Sequence, residues 1–259
     1  MNLFFRDEGS RIGLPIVLIH GFPLDYTMWQ PQVRALKNHF RVVTYDVRGL
    51  GRSPLNDAPV TMDSYVDDLF SLLDHLNISA PAICGFSMGG YIALRAAERA
   101  PQRLQALILA DTRSEADTEQ ARNNRITTIR AIENDGLKSF TDDFIKKVFA
   151  PRTLVENKPC VTSIRNTILH SDPQGVCAAA AAIMSRMDTT AALPGIRVPT
   201  LVLVGEQDAL TPPACAQALA SAIPGAKFAR IPGAGHLSSL EDPKAFNRHL
   251  LGFLESLSH

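Results

Sequence analysis

The chain has 259 residues, 46% of them hydrophobic, which allows one large domain or one domain with an insertion. Its 26 Lys and Arg residues balance 26 Asp and Glu residues, so no basic face for nucleic acid or for a membrane surface is expected. Charge breaks Met1–Glu8, which does not read as a signal peptide, and no run approaches the roughly 18 apolar residues that span a bilayer. Cys84, Cys160, Cys177 and Cys215 form no C-x-x-C pair; reduced thiols and a cytoplasmic location are expected.

In chain order, Pro15–His20 reads as a buried strand and Phe40–Asp46 as the next. Met62–Leu76 carries Tyr65, Leu69, Leu72, Leu73 and Leu76 at helical spacing. Ala82–Gly85 reads as a strand, Met88–Ala100 as a helix stopped by Pro101, and Leu104–Ala110 as another strand. Short, continuously apolar strands alternating with helices imply a mostly parallel sheet covered on both faces. From Arg113 to Leu193 no buried strand is evident; Asp117–Glu133, Phe140–Phe149 and Cys177–Met187 have helical composition. This stretch, 113–193, is expected to be a helical cap inserted into a core made of 1–112 and 194–259. The rhythm resumes with a strand at Pro199–Gly205, a helix at Pro213–Ala222, a strand at Lys227–Ile231 and a helix at Pro243–Leu257.

Gly85-Phe86-Ser87-Met88-Gly89 is a G-x-S-x-G motif set between a strand and a helix, the context of a nucleophile elbow. Ser87 is therefore the candidate nucleophile. A serine hydroxyl needs a base, and the base needs an acid to fix its tautomer. His236, after the glycine-rich loop Pro232–Gly235, is the best-placed of seven histidines. The acid is expected between Ser87 and His236 in the chain; Asp208, just past the strand ending at Val204, fits best, with Asp111 and Glu206 as rivals. The oxyanion of an acyl-transfer intermediate needs donors, for which the backbone N–H groups of Met88 and Phe22 are the candidates. His20 is expected to be structural, holding the Phe22 loop by a hydrogen bond.

Taken together, His20–Pro23, Asp46–Ser53, Gly85–Gly90, Gly205–Asp208 and Gly233–His236 resemble the motifs of the α/β-hydrolase family, in that family's order. The resemblance implies the α/β-hydrolase fold, a mostly parallel central sheet with helices on both faces and an inserted helical cap. Asp46 and Arg48 would then hold a structural loop. Within the family, Asp172–Gly175 with the alanine run after it, Pro199–Pro213 and Pro232–Asn247 resemble 3-oxoadipate enol-lactonases. Gly21–Leu24 and Gly85–Gly90 also resemble cofactor-free esterases with perhydrolase activity. The chain departs from the enol-lactonases at Ala110–Asp117. Serine at position 87 is unlike haloalkane dehalogenases and epoxide hydrolases, which carry aspartate there.

The expected activity is carboxylic-ester hydrolysis of small esters through an acyl-enzyme; a lactonase, a perhydrolase or acyltransferase, and a small-molecule receptor on the same fold are the alternatives. Neither metal nor cofactor is expected, as no H-E-x-x-H or nucleotide-binding glycine loop is present. The partner is a small-molecule ester or lactone, and the assembly a monomer or homodimer. Under the cap, Trp29, Met28, Phe86, Met88, Ile183, Met184 and Leu237 are candidate walls of an apolar pocket. Arg113 or Arg125 is a candidate for a substrate carboxylate. The ordinary exposure of charged residues favours solvated cap arginines instead.

Overall fold

Seven strands form one sheet in the order β1-β3-β2-β4-β5-β6-β7 in the computed structural model, which describes residues 2–257. The strands are β1 (Phe5–Gly9), β2 (Pro15–Ile19), β3 (Arg41–Tyr45), β4 (Ala82–Phe86), β5 (Ala106–Ala110), β6 (Thr200–Gly205) and β7 (Lys227–Ile231). All neighbours are parallel except β1, which pairs antiparallel with β3. Alternate residues of the central strands feed two cores. Val17, Ile19, Ile83, Leu107 and Val202 point to one face; Ile16, Leu18, Cys84, Ile108 and Leu203 point to the other. That two-sided burial is why these strands read as continuous apolar runs.

Helices α1 (Gln30–Leu36), α2 (Met62–His75) and α3 (Met88–Arg99) follow strands β2, β3 and β4. Helix α2 starts at a reciprocal cap: Thr61 Oγ1 accepts from Ser64 N–H at 3.1 Å and Ser64 Oγ accepts from Thr61 N–H at 2.9 Å. Between β5 and β6 lie α4 (Glu119–Asp135), α5 (Leu137–Val148), α6 (Pro151–Glu156), α7 (Lys158–Leu169) and α8 (Pro173–Met184). The sequence pattern did not reveal α6 and α7, and α8 begins at Pro173 rather than Cys177. Helices α9 (Pro213–Ala222), α10 (Ser238–Glu241) and α11 (Pro243–Glu255) complete the chain. Leu69 of α2, Ile92 of α3 and Leu219 of α9 cover one face of the sheet; Leu36 of α1 and Phe246 of α11 cover the other.

The strand order reverses between β2 and β4: the chain passes from β2 outward to β3, then returns to place β4 on the opposite side of β2. Loops leaving the carboxyl ends of β2 and β4 diverge there, and such a crevice is where open α/β sheets bind ligands. Among the described residues no helix is long and apolar enough to cross a membrane.

Candidate active site

Ser87 sits at the β4–α3 turn with φ 51° and ψ −111°, a conformation a non-glycine residue adopts only when its surroundings enforce it. The enforcement is visible. Ser87 N–H donates to Ala110 O at 2.9 Å, and Thr112 Oγ1 donates to Ser87 O at 2.8 Å. Gly89 has no room for a side chain, because a Cβ there would lie 2.3 Å from Ile19 O. The turn therefore packs against the end of β2 and lifts the Ser87 hydroxyl above the sheet edge.

His236 and Asp208 meet it there. His236 Nε2 lies 2.9 Å from Ser87 Oγ, and His236 Nδ1 lies 2.8 Å from Asp208 Oδ2. A carboxylate only accepts, so Nδ1 carries the proton and Nε2 presents a lone pair to the serine hydroxyl. Asp208 is itself held by four donors: Oδ1 accepts from Leu210 N–H at 2.8 Å and Thr211 N–H at 2.9 Å, and Oδ2 from His236 and from Thr211 Oγ1 at 2.6 Å. Burial opposes ionisation of Asp208. The charge and hydrogen bond of His236 and the bonds from Thr211 outweigh it, and the carboxyl is held below the usual carboxylate range.

The rival acids stand elsewhere. Glu206 is exposed and bonds Gly233 N–H at 3.0 Å. Asp111, fully buried at φ 46°, accepts from Gly205 N–H at 2.8 Å and pairs with Ser238 Oγ at 2.5 Å. Burial, reinforced by the neighbouring Asp208 charge, pushes its carboxyl well above the usual range.

The loop after β2 abuts the turn, for a Cβ on Gly21 would come within 3.1 Å of Ser87 Cβ. Neither Phe22 N–H nor Met88 N–H donates to any acceptor among the described residues. His20, fully buried, holds this loop: its Nε2 accepts from Val47 N–H at 2.9 Å, so its Nδ1 donates to Gly21 O at 3.0 Å. Asp46 steadies the adjoining loop through Tyr26 N–H at 2.7 Å and Arg52 N–H at 2.8 Å. Arg48 pairs with Asp68.

A cavity of about 320 Å³ opens over Ser87 and His236, walled by Phe22 and by residues of α4, α5 and α8. Ile183 lines it; the other expected wall residues do not. Phe86, the last residue of β4, points with Cys84 into the second core, where it packs against Trp29 at 6.4 Å and behind the His236 ring at 5.1 Å between ring centroids. Met28 and Leu237 join that second core, and the Met88 side chain is buried in the first. On α8, Ala180 and Ile183 line the cavity at three-residue spacing, and Met184 is not among its walls. The walls that sequence reasoning missed include Tyr91, Phe140 and Phe144; the four-residue spacing of Phe140 and Phe144 was their available signal.

The cavity is charged as well. Arg113, Arg125, Lys147 and Arg186 line it against one carboxylate, Asp117. Asp117 pairs with Arg125 and Arg186, and these pairs outweigh its burial and hold its carboxyl low. The Arg186 guanidinium also stacks 4.4 Å from the Tyr91 ring centroid. Arg113 donates to Leu210 O, and neither Arg113 nor Lys147 has a carboxylate partner among the described residues. Among the described residues no cluster of three His, Cys, Asp or Glu could hold a metal ion.

The sheet order, the strained turn and the position of the helical insertion define an α/β hydrolase, and a profile of the alpha/beta hydrolase family matches residues 16–249. The chain belongs to that family. It is similar to a thermophilic esterase from Thermogutta terrifontis solved with malate bound: 38% identity, TM-score 0.95, covering 98% of this chain and 93% of that one. It is also similar to the enol-lactonase of Burkholderia xenovorans, at 31% identity and TM-score 0.92 over 98% and 96% of the two chains. The 3-oxoadipate enol-lactonase 1 of Acinetobacter baylyi is 31% identical over 99% of this chain and 94% of its own length.

Proposed function

We propose that this chain is a carboxylic-ester hydrolase that acts through an acyl-enzyme on Ser87. The observation that carries the reading is the unbroken relay from Ser87 Oγ to His236 at 2.9 Å and from His236 to Asp208 at 2.8 Å, at the floor of the cavity. His236 Nε2 takes the hydroxyl proton as Ser87 attacks the ester carbonyl, and Asp208 stabilises the imidazolium. The free N–H groups of Phe22 and Met88 receive the oxyanion. His236 then protonates the departing alcohol, and water repeats the sequence on the acyl-enzyme to release the acid.

The excess of cations over carboxylates in the cavity supports a substrate that carries a free carboxylate beside the scissile ester, with Arg113 and Lys147 as its partners. The malate in the Thermogutta terrifontis esterase accords with this. A second reading, lactone hydrolysis, uses the same groups with the leaving alcohol tethered to the acyl chain. The enol-lactonase relatives, which match nearly the whole chain, favour keeping it.

Ser87→Ala should lower turnover of p-nitrophenyl acetate by about 10⁴-fold or more. Full activity in that variant refutes the relay. A panel of lactones against acyclic hemiesters, compared by kcat/KM, chooses between the two readings.

A further inference from the structure

The loop that carries His236 is attached to the helical insertion as well as to the sheet. His236 N–H and Leu237 N–H both donate to Val148 O, at 2.9 and 3.3 Å, at the last turn of α5. Gly235 admits no side chain, since a Cβ there would lie 2.5 Å from Ala150 N. One carboxylate spans this junction. Glu241 Oε1 accepts from Gly235 N–H at 2.9 Å, and Oε2 accepts from Ala150 N–H at 2.9 Å and Thr153 Oγ1 at 2.6 Å. No cation pairs with Glu241 among the described residues, so its work lies in those three hydrogen bonds.

The geometry points to Glu241 as a positioning residue that clamps segment 148–153 of the insertion to the His236 loop, so that the α5 wall of the cavity and His236 move as one piece. Helix α5 carries Phe140, Phe144 and Lys147 into the cavity, and its carboxyl end meets this clamp. The substrate wall is thus held in register with the base. The inference rests on the reading of His236 as the base acting on Ser87.

Glu241→Gln tests it at constant volume. The amide has one acceptor oxygen. Ala150 N–H and Gly235 N–H can only donate, whereas a hydroxyl can do either, so the one oxygen serves one of these two backbone groups and the NH₂ is forced against the other. Either way the side chain no longer bonds the histidine loop and the insertion together, and the clamp is opened. With p-nitrophenyl acetate, kcat is expected to fall roughly ten- to a hundredfold with KM within about twofold, the scale of a small misplacement of a catalytic group. Amide exchange across the junction, at Gly235 and His236 or at Ala150, is expected to quicken by about tenfold or more. Should Glu241→Gln not fold, Thr153→Val removes one bond from the insertion side and is expected to lower kcat by about threefold with the same split. A folded Glu241→Gln with unchanged kcat, or with only a raised KM, overturns the proposal; so does unchanged kcat in Thr153→Val where that variant alone is available. Ser87→Ala run beside it separates the two readings: if it retains activity, the base assignment itself has failed.

Discussion

Replacing Asp208 by Asn removes a charge at nearly constant shape, and the hydrogen bonds around it dictate the consequence. Oδ1 accepts from two backbone N–H groups, those of Leu210 and Thr211, which can only donate. The amide oxygen of Asn must stay with them. Its NH₂ then faces His236 Nδ1, the atom now 2.8 Å from Oδ2, and Thr211 Oγ1 at 2.6 Å. A donor opposite Nδ1 makes that nitrogen an acceptor and moves the ring proton to Nε2. Nε2 then has no lone pair for the Ser87 hydroxyl, and the imidazolium loses its counter-charge. A base held in the wrong tautomer is expected to lower kcat by about 10⁴-fold, which is about 5.5 kcal/mol of transition-state stabilisation. The assay is initial-rate hydrolysis of p-nitrophenyl acetate at neutral pH, with the melting temperature recorded to show that the variant is folded. A folded Asp208→Asn within about tenfold of the parent kcat would refute the assigned tautomer. It would also return Asp111 to contention.

Asp111→Asn should raise stability near neutral pH, because the oxygen can keep Gly205 N–H and the NH₂ can donate to Ser238 Oγ. A carboxyl whose folded pKa is raised favours the folded state fully below the unfolded value of 3.8 and loses that contribution as pH climbs through its folded pKa. The urea midpoint of the variant is therefore expected to gain on the parent at pH 7 and not at pH 3.5; a gain independent of pH argues against a proton held by Asp111. Arg113→Gln combined with Lys147→Gln should raise KM for a p-nitrophenyl hemiester of a dicarboxylic acid by about tenfold, while p-nitrophenyl acetate is affected less than about twofold. Equal effects on both substrates would count against a carboxylate subsite.

Much of this molecule is legible in the order of its residues because the relevant forces are local. Glycines around Ser87 announce a turn too tight for side chains, and a strand buried on both faces reads as an apolar run, as Ile16–Ile19 and Leu201–Val204 do. Strand β1 was not legible: Phe5–Gly9 is an edge strand with polar and charged residues, and it forms because β3 offers it an antiparallel partner. Helices α6 and α7 were not legible for a related reason: they have few buried residues to mark a period, and Pro151 and Pro159 stand in their first turns, where proline starts a helix but reads as a stop.

The strand-and-helix rhythm, the tight turn at Ser87 and a short list of acids and bases at strand ends can be read from residue order, since backbone sterics and alternation act over a few residues. Which of these side chains meet depends on the packing of loops far apart in the chain. Asp208, not Asp111, reaches His236, because Asp111 is spent on Gly205 N–H and Ser238, whereas the loop after β6 turns the Asp208 carboxyl toward Nδ1. Tertiary packing likewise turned Trp29 and Phe86 into the second core and brought Phe140, Phe144 and Lys147 to the cavity instead. Which face of an inserted helix looks at the active site depends on how that helix packs over strands distant in sequence, and no local pattern encodes that angle.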